Sequence, residues 1–382
     1  MSDDPLRLSD YRVDSDRGFL PPGDPCDRLP PGFEVWEETA RQLSALIATD
    51  SLRHRIESWP RLDASALRDR LTQERAMLLL SLLGNAYVWS GAEPRLKIPS
   101  ALARPWCALG EALDRPPIIS HASLVLHNWR RLSPERGLTL SNLSTQAQVL
   151  GGMDESWFYL VTVAIEASGA AVLPILAGLP RDGSDSSDSR LIDALERLAP
   201  ILHRLTPVLQ RMREQCDPYI FYRRVRPFLA GWPEPGVVYE GVWDEPRLFA
   251  GGSAAQSSLL QAIDAGLGVE HLDSRSGPFL LEMRRYMPRE HREFIRRLES
   301  LPSLKEIALS EGRTPRLREG YARCIDAVEN FRRAHFEMVK DYITVPAETL
   351  GESAKGTGGT AYGRFLSQAI HDTRLPERDR RH

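Results

Sequence analysis

Residues 315–344 read PRLREGYARCIDAVENFRRAHFEMVKDYIT and carry the clearest helical pattern in the chain. Six mostly apolar side chains recur there at intervals of four and three residues: Cys324, Val328, Phe331, His335, Met338 and Tyr342. This alternation follows one face of an α-helix. The pattern therefore predicts a buried helical face on which His335 points inward, between Phe331 and Met338.

Outward from this helix, apolar residues repeat with the same helical period along most of the chain. The predicted helical ranges are 33–49, 64–90, 116–129, 154–178, 189–215, 217–230, 253–266, 277–287 and 289–299. Sustained period-two alternation and internal repeats of 20–50 residues are absent from the sequence, which disfavours a β-sandwich or a solenoid. We predict an all-α fold with a smaller N-terminal domain (1–150), which includes a proline-rich arm, and a larger C-terminal helical domain (151–382).

Composition excludes several classes of protein. Apolar residues make up 42% of the 382 residues and charged residues 26%, as in folded globular proteins. Lys and Arg number 49 against 52 Asp and Glu, so the net charge of −3 provides no basic field for nucleic acid or anionic lipid. The four cysteines are widely dispersed, which argues against a disulfide framework or a cysteine metal site.

The sequence also indicates where the protein resides. Residues 1–17 contain no apolar stretch of the kind found in a signal peptide. The most apolar segment, 156–180, is interrupted by Glu166, and its longest uncharged run of 14 residues is typical of a buried core helix. We expect a cytoplasmic protein with neither a membrane nor a nucleic acid as its partner.

His335 has two interpretations at this stage. A histidine on an apolar helix face can be a core residue hydrogen-bonded to a backbone carbonyl. It can equally be a neutral axial ligand to the iron of a porphyrin, because an apolar slot on a rigid helix keeps water away from the metal. Local Ser-His-Asp, Cys-His and H-E-x-x-H motifs are missing, so hydrolase and metalloprotease functions have no support.

Two glycine-rich segments and one arginine are further candidates. The run FAGGSAAQSS (249–258) is small and uncharged, which suits close approach to a flat ligand, or a helix start capped by Ser253. The run KGTGGT (355–360) resembles an anion-binding loop or a mobile surface loop. Arg226 lies among apolar residues, with Leu229 one turn away as a further candidate for binding substrate. Its partly buried guanidinium needs a carboxylate, from a substrate or from an internal acid.

Considered together, these segments resemble the indoleamine 2,3-dioxygenase family of haem enzymes over most of the chain. The resemblance rests on the order and spacing of DRGFLP (16–21), PPI (116–118), FAGGSAAQSS (249–258), EMRRYMP (282–288), HR (291–292), the histidine helix, VPA (345–347) and KGTGGT (355–360). It implies an all-α fold in which haem b is bound between two helical domains, with His335 as the proximal iron ligand.

The resemblance also implies a reaction, in which L-tryptophan and O₂ give N-formylkynurenine. It further implies a monomer that receives electrons from a separate donor. By the family pattern, Arg226 binds the tryptophan carboxylate, and Phe158 and Phe221 pack against the indole. The remaining matched positions are Gly252, Ser253 and Ala254 beside the oxygen site, Thr357 in the loop that closes over substrate, and Asp264 with Arg332 behind a haem propionate.

Two positions depart from the family pattern. His121 stands where the family usually has tyrosine, and Thr162 stands where serine is common in the distal pocket. His121 either accepts a hydrogen bond from the indole N–H or is a harmless polar substitution at the rim of the pocket. These departures keep two alternatives open: a haem enzyme of the same scaffold acting on another indole or a substituted tryptophan, and a haem-binding protein with little turnover.

Overall fold

A computed structural model describes residues 6–179, 188–273, 276–352, 356 and 362–375, and this part of the chain is mainly helical. The prediction of an all-α fold is confirmed. The helices that begin before residue 200 are α1 (Glu34–Arg41), α2 (Leu43–Ala48), α3 (Leu52–Glu57), α4 (Arg70–Trp89), α5 (Ser100–Ala112), α6 (Met153–Gly169), α7 (Val172–Ala177) and α8 (Asp188–Gln210). They are followed by α9 (Met212–Gln215), α10 (Pro218–Ile220), α11 (Ser258–Leu267), α12 (Ser276–Arg284), α13 (Arg289–Glu299), α14 (Leu304–Leu309), α15 (Pro315–Val339), α16 (Val345–Thr349) and α17 (Tyr362–Thr373).

The described residues contain four short strands and two isolated β-bridges, Asp14 with Gly18 and Val237 with Arg247. Strands β1 (Lys97–Ile98) and β4 (Val238–Tyr239) pair in parallel, and Lys97 lies opposite Val238. Strands β2 (Trp129–Arg131) and β3 (Leu143–Thr145) form an antiparallel pair. Strands this short do not produce a period-two pattern, which is why the sequence did not indicate them.

The longest helix, α15, packs along α8 and forms the centre of the C-terminal core. Pro315 occupies its first turn, where a missing N–H costs nothing. A β-carbon on Gly320 would lie 3.3 Å from the side chain of Leu195, so the two helices approach closely at this point. Cys324 is fully buried against the same helix, with its Sγ 3.8 Å from the carbonyl of Leu195.

The apolar segment Met153–Ala177 comprises helices α6 and α7, with a break after Gly169. By length and composition alone, this segment could cross a membrane, but 67% of its most apolar window is buried inside the protein. A β-carbon on Gly169 would lie 2.4 Å from the side chain of Leu259, so the end of α6 is tightly packed against α11. These contacts agree with the predicted core helix.

The predicted helix at 116–129 is wrong over most of its length. Only Ala122–Leu126 is helical, as a π-turn, and the chain enters strand β2 at Trp129. Side chains from distant segments take the backbone N–H groups that a helix would use. Asn85 accepts from the N–H of Ile119 at 3.3 Å, and Gln256 accepts from the N–H of His121 at 3.0 Å.

Other helix boundaries differ in a similar way. The segment 217–230 is divided into α10, the π-turn Phe221–Val225 and the 3₁₀ turn Arg226–Leu229. Helix α15 ends in a third π-turn, Lys340–Thr344. Each of the three π-turns contributes side chains to one internal cavity. This agrees with the tendency of π-turns to occur at functional sites, because the extra residue per turn redirects side chains.

Candidate active site

An internal cavity of about 240 Å³ lies between α6, the 252–257 loop and the end of α15. Its wall is predominantly apolar, and it also contains a small number of polar side chains. The predicted site residues on this wall are His121, Phe158, Thr162, Phe221, Arg226, Leu229, Gly252, Ser253, Ala254 and His335. Residues from five separate parts of the sequence are therefore brought to one place.

His335 lies where the helical stripe reaches the cavity, together with Phe331 and Met338. The accessible part of its ring faces this internal space, and burial lowers the pKa of His335 to about 4. Among the described residues, neither ring nitrogen of His335 has a hydrogen-bonding partner. The hydrogen bond to a backbone carbonyl that a core histidine would make is therefore absent from the described residues. A neutral imidazole is available as a ligand.

Two phenylalanines form an aromatic wall of the cavity. The rings of Phe158 on α6 and Phe221 in the second π-turn are 4.6 Å apart between centroids, with 37° between their planes. Tyr342 lies edge-on to Phe221 at 5.9 Å. A flat aromatic ligand fits such a wall, because tilted and edge-on ring contacts are favourable.

Arg226 follows this wall directly, because the π-turn that carries Phe221 ends at Val225. Its guanidinium carbon lies 5.3 Å from the centroid of the Tyr222 ring, a cation–π distance, and the residue borders the cavity. The π-turn thus presents both Phe221 and Arg226 to one space. Leu229 continues the same wall and is buried.

The 249–258 segment approaches another stretch of backbone closely rather than leaving open space. A β-carbon on Gly251 would lie 2.1 Å from the carbonyl oxygen of Leu229, and the N–H of Gly252 donates to that oxygen at 3.0 Å. Glycine is therefore required at 251 for steric reasons. This contact holds Gly252 and the two residues that follow it against the cavity.

The predicted role of Ser253 as cap of a long helix is wrong in detail. Ser253 caps the short 3₁₀ turn Ala254–Gln256, where its Oγ accepts from the N–H of Ala255 at 3.3 Å. Helix α11 begins afterwards, and its cap is Ser257, which accepts from Leu260 at 3.3 Å. Two successive caps separate the loop from the helix, so Ser253 and Ala254 remain on the cavity wall.

The two departures from the family pattern both lie inside the cavity. The Oγ1 of Thr162 donates to the carbonyl of Phe158 at 2.9 Å, one turn back on α6. His121 is 5% exposed, so it is a buried residue and not a substituent at the rim. Its Nε2 lies 2.9 Å from Oε1 of Glu166, a carboxylate that is itself buried.

Asp264 and Arg332 line a smaller adjoining cavity of about 80 Å³, which also includes His335. His271 joins this cluster, with Nε2 at 3.3 Å from Asp264 and Nδ1 at 2.9 Å from Asp372 of α17. Burial opposes protonation of His271, but the two carboxylates prevail and raise its pKa. His335 therefore lies at the junction of an aromatic cavity and a charged one.

Thr357 lies outside the described residues, although Gly356 borders the larger cavity. Glu166, Ser257 and His271 were not among the site residues predicted from the sequence. A single acid in the otherwise apolar run of α6 was the available indication of Glu166. A lone acid in an apolar helix can be buried, or it can lie at the edge of the apolar face and point to solvent. Only the tertiary surroundings of Glu166 distinguish these two cases.

The chemistry of the donors present fits a haem better than a bare metal ion. Among the described residues, no group of three or more His, Cys, Asp or Glu side chains lies close enough to hold a metal. A bare zinc or iron ion needs three or four protein ligands, whereas a porphyrin supplies four nitrogens and requires one axial histidine. One neutral histidine in an apolar cavity satisfies that requirement.

Comparison with known proteins agrees with this site. A family model described as Indoleamine 2,3-dioxygenase matches residues 7–376. Indoleamine 2,3-dioxygenase 1 of Rattus norvegicus is 34% identical over 96% of this chain and 94% of its own length. Indoleamine 2,3-dioxygenase 2 of Homo sapiens is 35% identical over 97% of this chain and 95% of its own length. Indoleamine 2,3-dioxygenase of Saccharomyces cerevisiae is 37% identical over 96% of this chain and 92% of its own length. The chain therefore belongs to the indoleamine 2,3-dioxygenase family, as a haem b-dependent oxidoreductase that uses O₂ on an indole substrate.

Proposed function

We propose that the protein opens the indole ring of L-tryptophan with O₂ to give N-formylkynurenine. Both oxygen atoms enter the product as the C2–C3 bond of the indole breaks, so the equation balances without a further reactant. The observation that carries this proposal is the presence of a guanidinium, Arg226, beside the aromatic wall of Phe158 and Phe221 in the cavity that contains His335.

In this proposal the substrate is held at both ends. Arg226 pairs with the carboxylate of the amino acid through charge-assisted hydrogen bonds, the strongest kind available to it. Phe158 and Phe221 pack against the indole, and Leu229 adds to the apolar surface. Positioning of this kind can lower a reaction barrier by several kcal/mol.

Other residues hold the cofactor and shape the reaction space. His335 would hold the iron of haem b, and Asp264 with Arg332 would lie behind a propionate. When bound, the haem supplies the activation of O₂, which side chains alone cannot provide. Gly252, Ser253 and Ala254 border the space for oxygen, Thr162 and His121 border the indole, and the family pattern assigns Thr357 to substrate binding.

Further parts of the proposal concern the context of the enzyme. We propose a cytoplasmic monomer with an N-terminal domain of residues 1–150 and a C-terminal domain of residues 151–382. A separate electron donor keeps the haem reduced. A second candidate substrate is another indole or a substituted tryptophan, and the observation that favours it is the position of the buried His121 and the half-buried Thr162 on the cavity wall.

One reaction tests the proposal. Ferrous, haem-loaded protein is mixed with L-tryptophan and ¹⁸O₂, and the product is identified by mass spectrometry. We expect a product that contains both labelled oxygen atoms. A protein with a normal haem spectrum that forms no product from L-tryptophan, but does from a substituted indole, would contradict the proposed substrate and support the second candidate.

A further inference from the structure

Glu166 is a buried carboxylate whose two oxygen atoms have very different surroundings. Its Oε1 accepts from Oγ of Ser257 at 2.7 Å and lies 2.9 Å from Nε2 of His121. Its Oε2 is buried and makes no hydrogen bond with the described residues. The side chains of all three residues are at least 95% buried, so water does not compete for these contacts.

The hydrogen bonds around Glu166 favour a proton on the histidine side of its contact with His121. Ser257 uses its oxygen to accept from the N–H of Leu260, so its hydroxyl proton is free to point at Oε1 of Glu166. Two donors that converge on one oxygen favour an ionised carboxylate, which accepts hydrogen bonds only. This arrangement favours the tautomer of His121 with its proton on Nε2.

The backbone at His121 is also fixed, which leaves the ring little freedom. The N–H of His121 donates to Oε1 of Gln256 at 3.0 Å, and Nε2 of Gln256 donates to the carbonyl of Gly251 at 2.9 Å. The loop that carries Gly251 thus sets the position of His121. Glu166 then sets the orientation of its ring.

The other ring nitrogen of His121, Nδ1, is available to a ligand in the cavity. Nδ1 makes no hydrogen bond with any described residue, and the residue borders the larger cavity. A neutral imidazole with its proton on Nε2 carries its lone pair on Nδ1. The cavity wall therefore has an acceptor at this point, in surroundings that are otherwise apolar.

We propose that Glu166 is a positioning residue that holds His121 in the Nε2–H tautomer, so that Nδ1 accepts a hydrogen bond from the ring N–H of an indole substrate. This inference rests on the proposed function for its substrate and goes beyond it in assigning Glu166. Glu166 acts through His121 and does not itself contact substrate, because its free oxygen is buried.

The tautomer can be measured without turnover. We would record ¹⁵N spectra of the ferrous, CO-bound holoenzyme labelled at histidine, and assign His121 by the loss of its signals in His121→Phe. We expect a lone-pair shift for Nδ1 and an N–H shift for Nε2. The reverse assignment, or a doubly protonated ring, would overturn the proposal even if the wild-type enzyme converts L-tryptophan.

Specificity provides the second measurement. The ratio of kcat/KM for L-tryptophan to that for 1-methyl-L-tryptophan, which lacks the ring N–H, should fall about tenfold in Glu166→Leu and in His121→Phe, as expected for one lost hydrogen bond. The double variant should lose no more than either single variant. Glu166→Gln should restore much of the ratio, because its amide oxygen can still accept from Nε2.

The outcomes separate the two proposals. An unchanged ratio in Glu166→Leu with normal haem content, or losses that multiply in the double variant, would refute the role of Glu166. If Glu166→Leu does not fold, Glu166→Gln and the wild-type spectrum still decide the tautomer. Failure of the wild type to convert L-tryptophan would refute the proposed substrate and leave the measured tautomer unaffected.

Discussion

Nη2 of Arg332 lies 2.6 Å from each carboxylate oxygen of Asp264. Arg332 precedes His335 by about one turn of α15. Arg332 also donates to the carbonyl of Ala369 at 3.2 Å and contacts Oγ1 of Thr373. Both of these residues belong to α17, the helix that follows the KGTGGT segment. The side of the site that holds His335 is thereby linked to the C-terminal end of the described chain.

Breaking this pair should weaken haem binding. Asp264→Asn keeps the shape of the side chain but removes the charge that holds Arg332, and loss of one partner from a mostly buried pair costs about 3 kcal/mol. We expect the apparent haem affinity to fall at least tenfold, measured by Soret titration of the apoprotein. The control is Arg333→Ala, which removes a neighbouring arginine of α15 that pairs with Glu329 away from the cavities. Equal haem affinity in Asp264→Asn and Arg333→Ala would contradict the assignment.

Removal of His335, the proposed iron ligand, should be reversible by an external base. We expect His335→Gly to lose the iron–histidine vibration in the resonance Raman spectrum of the ferrous protein. Among the described residues that line the two cavities, His335 is the histidine that no carboxylate engages, since His121 and His271 contact acidic side chains. Added imidazole should restore a nitrogen-ligated spectrum. Persistence of the original vibration in His335→Gly would show that another residue holds the iron.

Arg226 should be needed only by substrates that carry a carboxylate. We expect Arg226→Ala to lower kcat/KM for L-tryptophan about 100-fold or more, the usual effect of removing one partner of a desolvated charge pair. Activity toward tryptamine, which lacks the carboxylate, should change much less. The matched control is Arg224→Ala, an exposed position two residues earlier. A similar loss for both substrates would point to a structural role for Arg226.

Acid should destabilise the protein through a buried charge cluster in the N-terminal half. Burial opposes ionisation of Glu74, but Arg115, His127 and Arg70 hold its pKa at about 2. Burial lowers the pKa of His127 to about 4, despite the carboxylate of Glu74 at 3.6 Å. Both pKa values lie below the ordinary ones of 4.5 and 6.5, so the unfolded chain binds more protons and stability falls as pH falls.

The stability contributed by the neutral form of His127 is complete above pH 6.5 and is lost as the pH falls through 4. The total loss is about 3 kcal/mol. His127→Gln does not titrate, so its urea midpoint should change less than that of the wild type between pH 7 and pH 4. His54→Gln, at an exposed position, is the control and should retain the wild-type dependence. The prediction fails if both variants follow the wild-type curve.

Several features were accessible from the sequence because they depend on local periodicity. The stripe on α15 predicted which face is buried, and the structure divides that face between the α8 interface at Cys324 and the cavities from Val328 onward. Helix α13 occupies the predicted range 289–299. The proposed domain boundary at residue 151 and the roles of the individual site residues stay predictions.

Other features were inaccessible because they depend on which distant segments meet. The 116–129 segment has a helical composition, yet Asn85 and Gln256 take its backbone N–H groups. Glu166 appeared only as an interruption of an apolar run, and its pairing with His121 joins residues 45 positions apart.

The sequence by itself determined the helical class, the buried face of α15 and the family, because side-chain periodicity and motif order are properties of the chain. Only the tertiary structure decided where helices break into π-turns, which buried carboxylate contacts Nε2 of His121 and which side chains take the backbone N–H groups of the 116–129 segment. These outcomes follow from competition among polar groups for a limited number of buried partners, and that competition exists only once the helices have packed.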